Sequence, residues 1–113
     1  MKHFISEKQK LLFKQLEAEG ELVFAVGPRG AVANLVGRFV VRRNHHDEDQ
    51  LDVGDGTCHV HLDWSRIKKF EASDFHGEGL LTFFDGDAIL FRLYRMEGPY
   101  SQIVVSMAGQ LID

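Results

Sequence analysis

The sequence predicts an α+β domain dominated by a large antiparallel sheet with flanking helices. One helical segment comes first, short apolar segments that favour strands follow it, and turns rich in glycine separate several of these segments. The regular strand–helix alternation of a doubly wound fold is missing, and so are the GxGxxG and Walker motifs. The length fits one hydrophobic core, so we expect a single domain over residues 1–113.

The first element is predicted to be a helix over residues 6–19. Ser6 is a suitable N-cap, and Gln9 stands at the capping-box distance from it. Gly20 can end the helix in a left-handed conformation. The apolar stripe that would face the core consists of Leu11, Leu12, Phe13 and Leu16.

Strand-forming segments follow the helix. Residues 21–26 precede a turn built from glycine and proline over 27–30, and residues 31–43 are long enough for one long strand or two short ones. Gly37 indicates a bulge or a close approach of another backbone. The polar and acidic stretch 44–56 is predicted to be an exposed loop.

The C-terminal half is predicted to contain a hairpin and a short helix. Residues 79–84 and 88–96 flank an Asp-Gly-Asp turn, which is a strong hairpin signal. In the tail, Ser101 can cap a helix, whereas Val104 and Val105 prefer strands. We favour the helix.

The segment CHVHLDW, residues 58–64, alternates as a strand does. One face would carry Cys58, Val60, Leu62 and Trp64, and the other would carry His59, His61 and Asp63. Two imidazoles at this spacing can face one metal ion, with Asp63 as a third ligand or as a group that orients an imidazole. The residues therefore leave open a metal site in a metal-dependent enzyme, an acid–base pair, or a solvated strand face.

Three arginines are natural anchors for a carboxylate ligand, because guanidinium pairs with carboxylate in a bidentate fork. They are Arg42, Arg92 and Arg95. On the predicted strand 88–96, Arg92 shares one face with Tyr94, and the other face carries Ile89, Phe91, Leu93 and Arg95. For each arginine, the alternative is ion pairing at a solvated surface.

Charge and composition exclude several classes of protein. The net charge of −4 argues against nucleic acid as a partner, since phosphate binding needs a positive field. The single cysteine rules out an internal disulfide and suits a reducing compartment. The first residues contain no long apolar run, so we expect a cytoplasmic protein without membrane insertion.

The order of these elements resembles the haem utilisation carrier proteins of the HemS/ChuX/HutX type. Gly20-Glu21-Leu22, followed by a strand and by Gly37-Arg38-Phe39, is similar to the start of a lobe in that family. Residues 58–71 resemble the family's GHI strand and the element after it, and residues 74–98 resemble its hairpin. The resemblance covers roughly residues 11–98.

The resemblance implies a single lobe that binds haem in the cytoplasm and pairs into a homodimer, which imitates the two-lobed relatives. His59, or alternatively His61, would be the axial ligand, and Arg92, Arg95 and Arg42 would meet the propionates. Some relatives also degrade haem, so enzymatic activity stays open, although we expect none. The chain has no histidine just before Gly37, where relatives can carry one. This departure favours an alternative in which the fold lacks a haem site and serves as a dimeric interaction or regulatory module.

Overall fold

The structure, a computed structural model, describes residues 3–27, 30–54 and 56–112. In this part of the chain the elements are α1 (Glu7–Leu16), β1 (Glu21–Val26), β2 (Ala33–Arg43), β3 (Asp49–Val53), β4 (Cys58–Val60), β5 (Lys69–Phe75), β6 (Glu78–Asp85), β7 (Ala88–Arg95), α2 (Gln102–Ser106) and β8 (Gly109–Gln110). The strands form one antiparallel sheet in the order β4-β3-β2-β1-β7-β6-β5-β8. The predicted α+β class with a large antiparallel sheet is confirmed.

The helix α1 begins and packs largely as its sequence predicts. Ser6 Oγ accepts a hydrogen bond from the Gln9 N–H at 3.0 Å. The Gln9 side chain is buried, and its Nε2 donates to the carbonyl oxygens of Trp64 and Ile67 at 2.7 and 3.0 Å. Its Oε1 accepts from the Ile5 N–H, so the capping box is displaced by one residue. Gln9 therefore ties the helix to the short 3₁₀ turn at Trp64–Arg66.

Both helices cover the same face of the sheet, which we call the inner face. Phe13 of α1 lies with its ring 5.6 Å from that of Phe83 and 4.8 Å from that of Trp64. Val104 of α2 belongs to the same buried cluster. Leu11 does not belong to this cluster, since it is 61% exposed. The apolar stripe of α1 that faces the core therefore lacks this one predicted residue.

The strand β3 lies inside the stretch 44–56 predicted to be an exposed loop, so that prediction is wrong for residues 49–53, while residues 44–48 do form a turn. Leu51 and Val53 point into the core, and the two acidic residues of this strand, Asp49 and Asp52, are themselves buried. Their charges are compensated by arginines on the neighbouring strand β2. Arg43 Nε lies 3.3 Å from an Asp49 carboxylate oxygen, and Arg42 Nε lies 2.7 Å from one of Asp52.

The segment 31–43 contributes one long strand, β2, which begins at Ala33. Gly37 marks the close backbone approach that the sequence suggested, because a Cβ there would come within 2.8 Å of the Gly54 nitrogen. In the preceding turn predicted over 27–30, Pro28 and Arg29 lie outside the described residues, so this turn stays a prediction.

The predicted hairpin is formed by β6 and β7, with one irregularity. The pairing shifts between Phe83 and Phe84, so that Ile89 lies opposite Phe84 rather than on the face of Phe91. Because of this bulge, Ile89 does not share the face of Phe91, as was predicted, and it is 48% exposed. In the tail, Ser101 caps the predicted helix α2, and the two-residue strand β8 was not expected.

Candidate functional site

The face of the sheet opposite the helices, which we call the outer face, carries rows of side chains from neighbouring strands. The strand register places Val36, Val23, Tyr94 and Leu80 side by side in one row. The next row contains Asn34, Ala25, Arg92 and Thr82. Cross-strand partners share a face, so these rows form one continuous surface over β2, β1, β7 and β6.

A groove of about 470 Å³ lies on this outer face. Its apolar side chains are unusually accessible, with Val36 57%, Met96 55% and Phe75 48% exposed. The residues that line it are Val23, Ala25, Val32, Asn34, Val36, Phe75, Glu78, Tyr94 and Met96. Exposed apolar surfaces of this kind mark ligand grooves or protein interfaces.

A second groove, of about 620 Å³, lies between the N-terminal segment with α1 and the ends of β2 and β3. Most of its lining residues are polar, and some of its charges are paired within the chain. Arg43 lies 3.3 Å from Asp49, and Lys14 lies 3.6 Å from Glu17. The outer-face groove is therefore the better candidate for an apolar ligand.

Of the three polar residues of CHVHLDW, the structure keeps His59 and His61 together and gives Asp63 a different role. The strand β4 ends at Val60, so only His59 has a strand position, on the outer face opposite Asp52. His61 follows the strand, and its ring centroid is 4.7 Å from that of His59. Asp63 instead caps the 3₁₀ turn, since its Oδ1 accepts from the Ser65 N–H and Oγ at 3.2 and 2.6 Å. Leu62 and Trp64 are buried as predicted, whereas Cys58 is exposed.

A metal-dependent enzyme finds no support at this position. Within residues 3–27, 30–54 and 56–112, no group of three or more His, Cys, Asp or Glu side chains is arranged to hold a metal ion. The set of His59, His61 and Asp63 fails because the strand alternation that would have aligned them stops before His61. The expectation of a shared polar face for all three is therefore wrong.

The three predicted arginines occupy different environments. Arg92 lies on the outer face between Ala25 and Thr82, beside the groove, and makes no ion pair with any described residue. Arg95 lies towards the inner face, where its Nε donates to the Glu19 carbonyl at 3.0 Å and lies 3.4 Å from the Glu19 carboxylate. Arg42 is on the outer face near the β4 edge and is paired with the buried Asp52.

His76 is a further histidine close to the groove. It stands in the turn between β5 and β6, and its ring centroid is 4.6 Å from that of Phe75. Phe75 in turn lies 6.0 Å from Tyr94, and both residues line the groove. Only the long-range pairing of β5, β6 and β7 brings these residues together, so no local signal could have found the arrangement.

The strongest pKa shifts belong to structural groups away from the groove. Hydrogen bonds from Lys68, which has the larger effect, and from Arg66 hold the pKa of Asp85 below its usual range. Burial raises the pKa of Tyr100, whose hydroxyl donates to the Leu93 carbonyl at 2.9 Å. Asp85 and Tyr100 therefore make structural contacts within the fold and are not part of the outer-face groove.

Solved structures share this architecture at low sequence identity. A protein from Erwinia carotovora superposes with a TM-score of 0.61 and 14% identity, covering 88% of this chain and 66% of its own. ChuX superposes with a TM-score of 0.56 and 12% identity, covering 89% of this chain and 68% of its own. This chain has the ChuX fold. A protein from Agrobacterium tumefaciens superposes with a TM-score of 0.57 and 14% identity, covering 89% of this chain and 63% of its own.

The ChuX-like fold confirms the resemblance seen in the sequence at the level of architecture. The chain spans about two thirds of the length of these proteins. No protein-family model matches the sequence, and no curated protein matches it. In the described part of the chain, neither helix has the length and hydrophobicity needed to cross a bilayer.

Proposed function

We propose that this protein binds haem, or a related tetrapyrrole, on the outer face of its sheet. The observation that carries the proposal is the exposed apolar groove on a ChuX-like sheet. Its volume of about 470 Å³ falls within the usual range of ligand pockets, roughly 300–1,000 Å³. A porphyrin is a flat apolar ring with carboxylates at one edge, and it needs a flat apolar surface with a cation beside it.

The residues of the outer face fit the ring and one propionate. Val23, Val36 and Tyr94 offer adjacent apolar surface for the ring. Burial of apolar surface contributes roughly 25 cal/mol per Å², so exposed valines gain from being covered. Arg92, beside this row, can take a propionate as a bidentate partner. Arg42 and Arg95 stay predictions for the same role, although each already contacts a carboxylate of this chain.

Imidazoles flank the outer face from two sides. His59 and His61 stand at the β4 edge, and His76 stands at the turn between β5 and β6. Bound haem supplies an iron that accepts an axial imidazole. Asp63, which holds Ser65, stays a predicted orienting partner for the imidazoles at the β4 edge.

We further propose that the chain is a single lobe which carries haem in the cytoplasm without converting it, and that two copies form a homodimer. The ChuX-like fold and the solitary cysteine support this role. The homodimer is supported by the exposed apolar side chains of the outer face, since isolated monomers seldom leave such a surface uncovered.

A haem titration with two matched variants tests the proposal. Val36→Glu places a carboxylate in the groove, and Ile103→Glu makes the same kind of change on α2, where Ile103 is 59% exposed and Val36 is 57% exposed. We expect saturation at about one haem per chain for the wild type, and at least tenfold weaker binding for Val36→Glu, because burial of an unpaired carboxylate costs more than about 1.4 kcal/mol. Ile103→Glu should bind as the wild type does. Weak, unsaturable uptake that is equal in all three proteins would contradict the proposal.

The second candidate is a dimeric interaction or regulatory module without haem. The exposed apolar side chains of the outer face also favour this role, because such surfaces mark protein interfaces. Both candidates form a dimer, so light scattering and absorbance with and without haem separate them. An interaction module would be a dimer that dissociates in Val36→Glu, and its mass and absorbance would be insensitive to haem.

A further inference from the structure

The outer-face groove carries opposite charges at its two ends. Asn34 and Ala25, which line it, belong to the same row of the sheet as Arg92, and this places Arg92 at one end. Glu78, which also lines the groove, is at the other end, four residues along β6 from Thr82, the partner of Arg92. With strand spacings of about 4.8 Å and about 3.3 Å per residue, the Cα atoms of Arg92 and Glu78 are roughly 14 Å apart.

Glu78 places a carboxylate in an apolar part of the lining. It lies opposite Phe75 in the strand register, and the apolar Met96 lines the same end. Among the described residues, Glu78 has no partner for an ion pair or a side-chain hydrogen bond. Glu21 is a second carboxylate near this end, but it lies opposite Arg38 and outside the lining. A ligand that covers this end therefore brings its own groups next to the Glu78 carboxylate.

An apolar row separates the two ends. Tyr94 and Leu80 are cross-strand neighbours in it, and Leu80 stands two residues from Thr82 and two from Glu78 on β6. A flat ring over this row has one edge towards Arg92 and the opposite edge towards Glu78. Carboxylates are attracted at the first edge and repelled at the second, and both effects grow where the ligand displaces water. The groove therefore favours a ligand whose carboxylates are confined to one edge.

We infer that Glu78 is a specificity-determining residue, which makes the groove select a tetrapyrrole with carboxylates along one edge and reject one with carboxylates around the whole ring. The inference rests on the proposed function and names the class of porphyrin within it. Protoporphyrin carries its propionates on neighbouring pyrroles, so its opposite edge is apolar and suits Phe75 and Met96. Coproporphyrin carries a propionate on every pyrrole, so none of its edges suits Glu78. A like charge placed against the wrong ligand is a general way to achieve specificity.

Fluorescence titrations with metal-free protoporphyrin IX and metal-free coproporphyrin III test the inference, using the wild type, Glu78→Gln and the control Glu71→Gln. Metal-free porphyrins exclude any effect of axial ligation. Glu71 is exposed on the same face, opposite Thr82 and outside the lining, so its substitution removes the same charge without altering the groove. Coproporphyrin is also the more polar ligand, so the quantity to compare between variants is the ratio of the two affinities.

We expect the wild type to prefer protoporphyrin, and Glu78→Gln to reduce the affinity ratio about tenfold, which corresponds to about 1.4 kcal/mol. The reduction should come from tighter binding of coproporphyrin, and Glu71→Gln should keep the wild-type ratio. The opposite end of the groove gives a second readout. Arg92→Gln should weaken binding of protoporphyrin about tenfold and leave binding of its dimethyl ester unchanged, because the ester has no carboxylate to pair with Arg92.

The results that overturn the inference differ from the result that overturns the proposed function. If the wild type binds protoporphyrin but Glu78→Gln keeps the wild-type ratio, or Glu71→Gln changes the ratio as much, Glu78 does not set the specificity. Equal affinities of the wild type for both porphyrins, or an unchanged affinity of Arg92→Gln for protoporphyrin, would also overturn the inference. In each of these cases the proposed function stands. If the wild type binds neither porphyrin, the proposed function fails and the inference fails with it.

Discussion

We expect Arg95 to stabilise the fold through its ion pair with the buried Glu19. The carboxylate of Glu19, a residue that is 6% exposed, lies 3.4 Å from Arg95 Nε and also accepts hydrogen bonds from Ser101. Removal of one partner from a buried ion pair costs about 3–5 kcal/mol. The Arg95 side chain is 23% exposed, so water relieves part of this cost. We expect Arg95→Ala to lower the free energy of unfolding by about 2–4 kcal/mol.

Urea denaturation measures this loss, and Arg92→Ala is the matched control. Arg92 is three residues away on the opposite face and makes no ion pair with any described residue, so its loss should change stability by less than about 1 kcal/mol. With m values of about 1–3 kcal/mol per M, the two unfolding midpoints should differ by roughly 1 M. Equal midpoints would refute the assignment of Arg95 to the buried network with Glu19.

Three further substitutions test the packing and the electrostatics. Gly37→Ala should lower the free energy of unfolding by about 1–3 kcal/mol, because the new methyl meets the rigid backbone of Gly54. Thermal unfolding measures this loss, and an unchanged Tm would contradict it. Tyr100→Phe should lower the free energy of unfolding, measured with urea, by about 1–2 kcal/mol, since the buried Leu93 carbonyl loses the hydroxyl donor. An unchanged free energy of unfolding would show that water replaces the hydroxyl. Because the pKa of Asp85 is lowered in the folded state, mainly by Lys68, its carboxylate stabilises above its ordinary pKa and this contribution is lost as pH falls. Asp85→Asn should therefore show a smaller fall in Tm between pH 7 and pH 3 than the wild type, and parallel curves would contradict this.

Elements encoded by local signals could be predicted from the sequence. The cap at Ser6 and the Asp-Gly-Asp hairpin each depend on residues within a few positions of one another. The strand β3 could not be predicted this way, because two of its five residues are aspartates. Aspartate disfavours strands unless its charge is compensated, and here the compensation comes from arginines on β2.

The candidate site was predicted only in part, for a similar reason. Alternation correctly placed Arg92 and Tyr94 on one face, since both lie within one regular strand. It failed beyond Val60, where the chain leaves the sheet to form a turn capped by Asp63. The groove itself is built from five strands, so it exists only once the sheet register is fixed. Contacts such as that between Phe75 and Tyr94 depend on this long-range pairing.

The most direct test of tetrapyrrole binding on the outer face is a titration with diamagnetic zinc protoporphyrin, followed by NMR of the valine methyl groups. A porphyrin produces a strong ring current, which shifts methyl signals that lie over or beside it. We predict large, saturable shifts for Val23 and Val36, which line the groove, and none for Val104, which belongs to α2 and is buried on the inner face. Shifts that centre on Val41, in the groove beside α1, or no saturable shifts at all, would contradict the account.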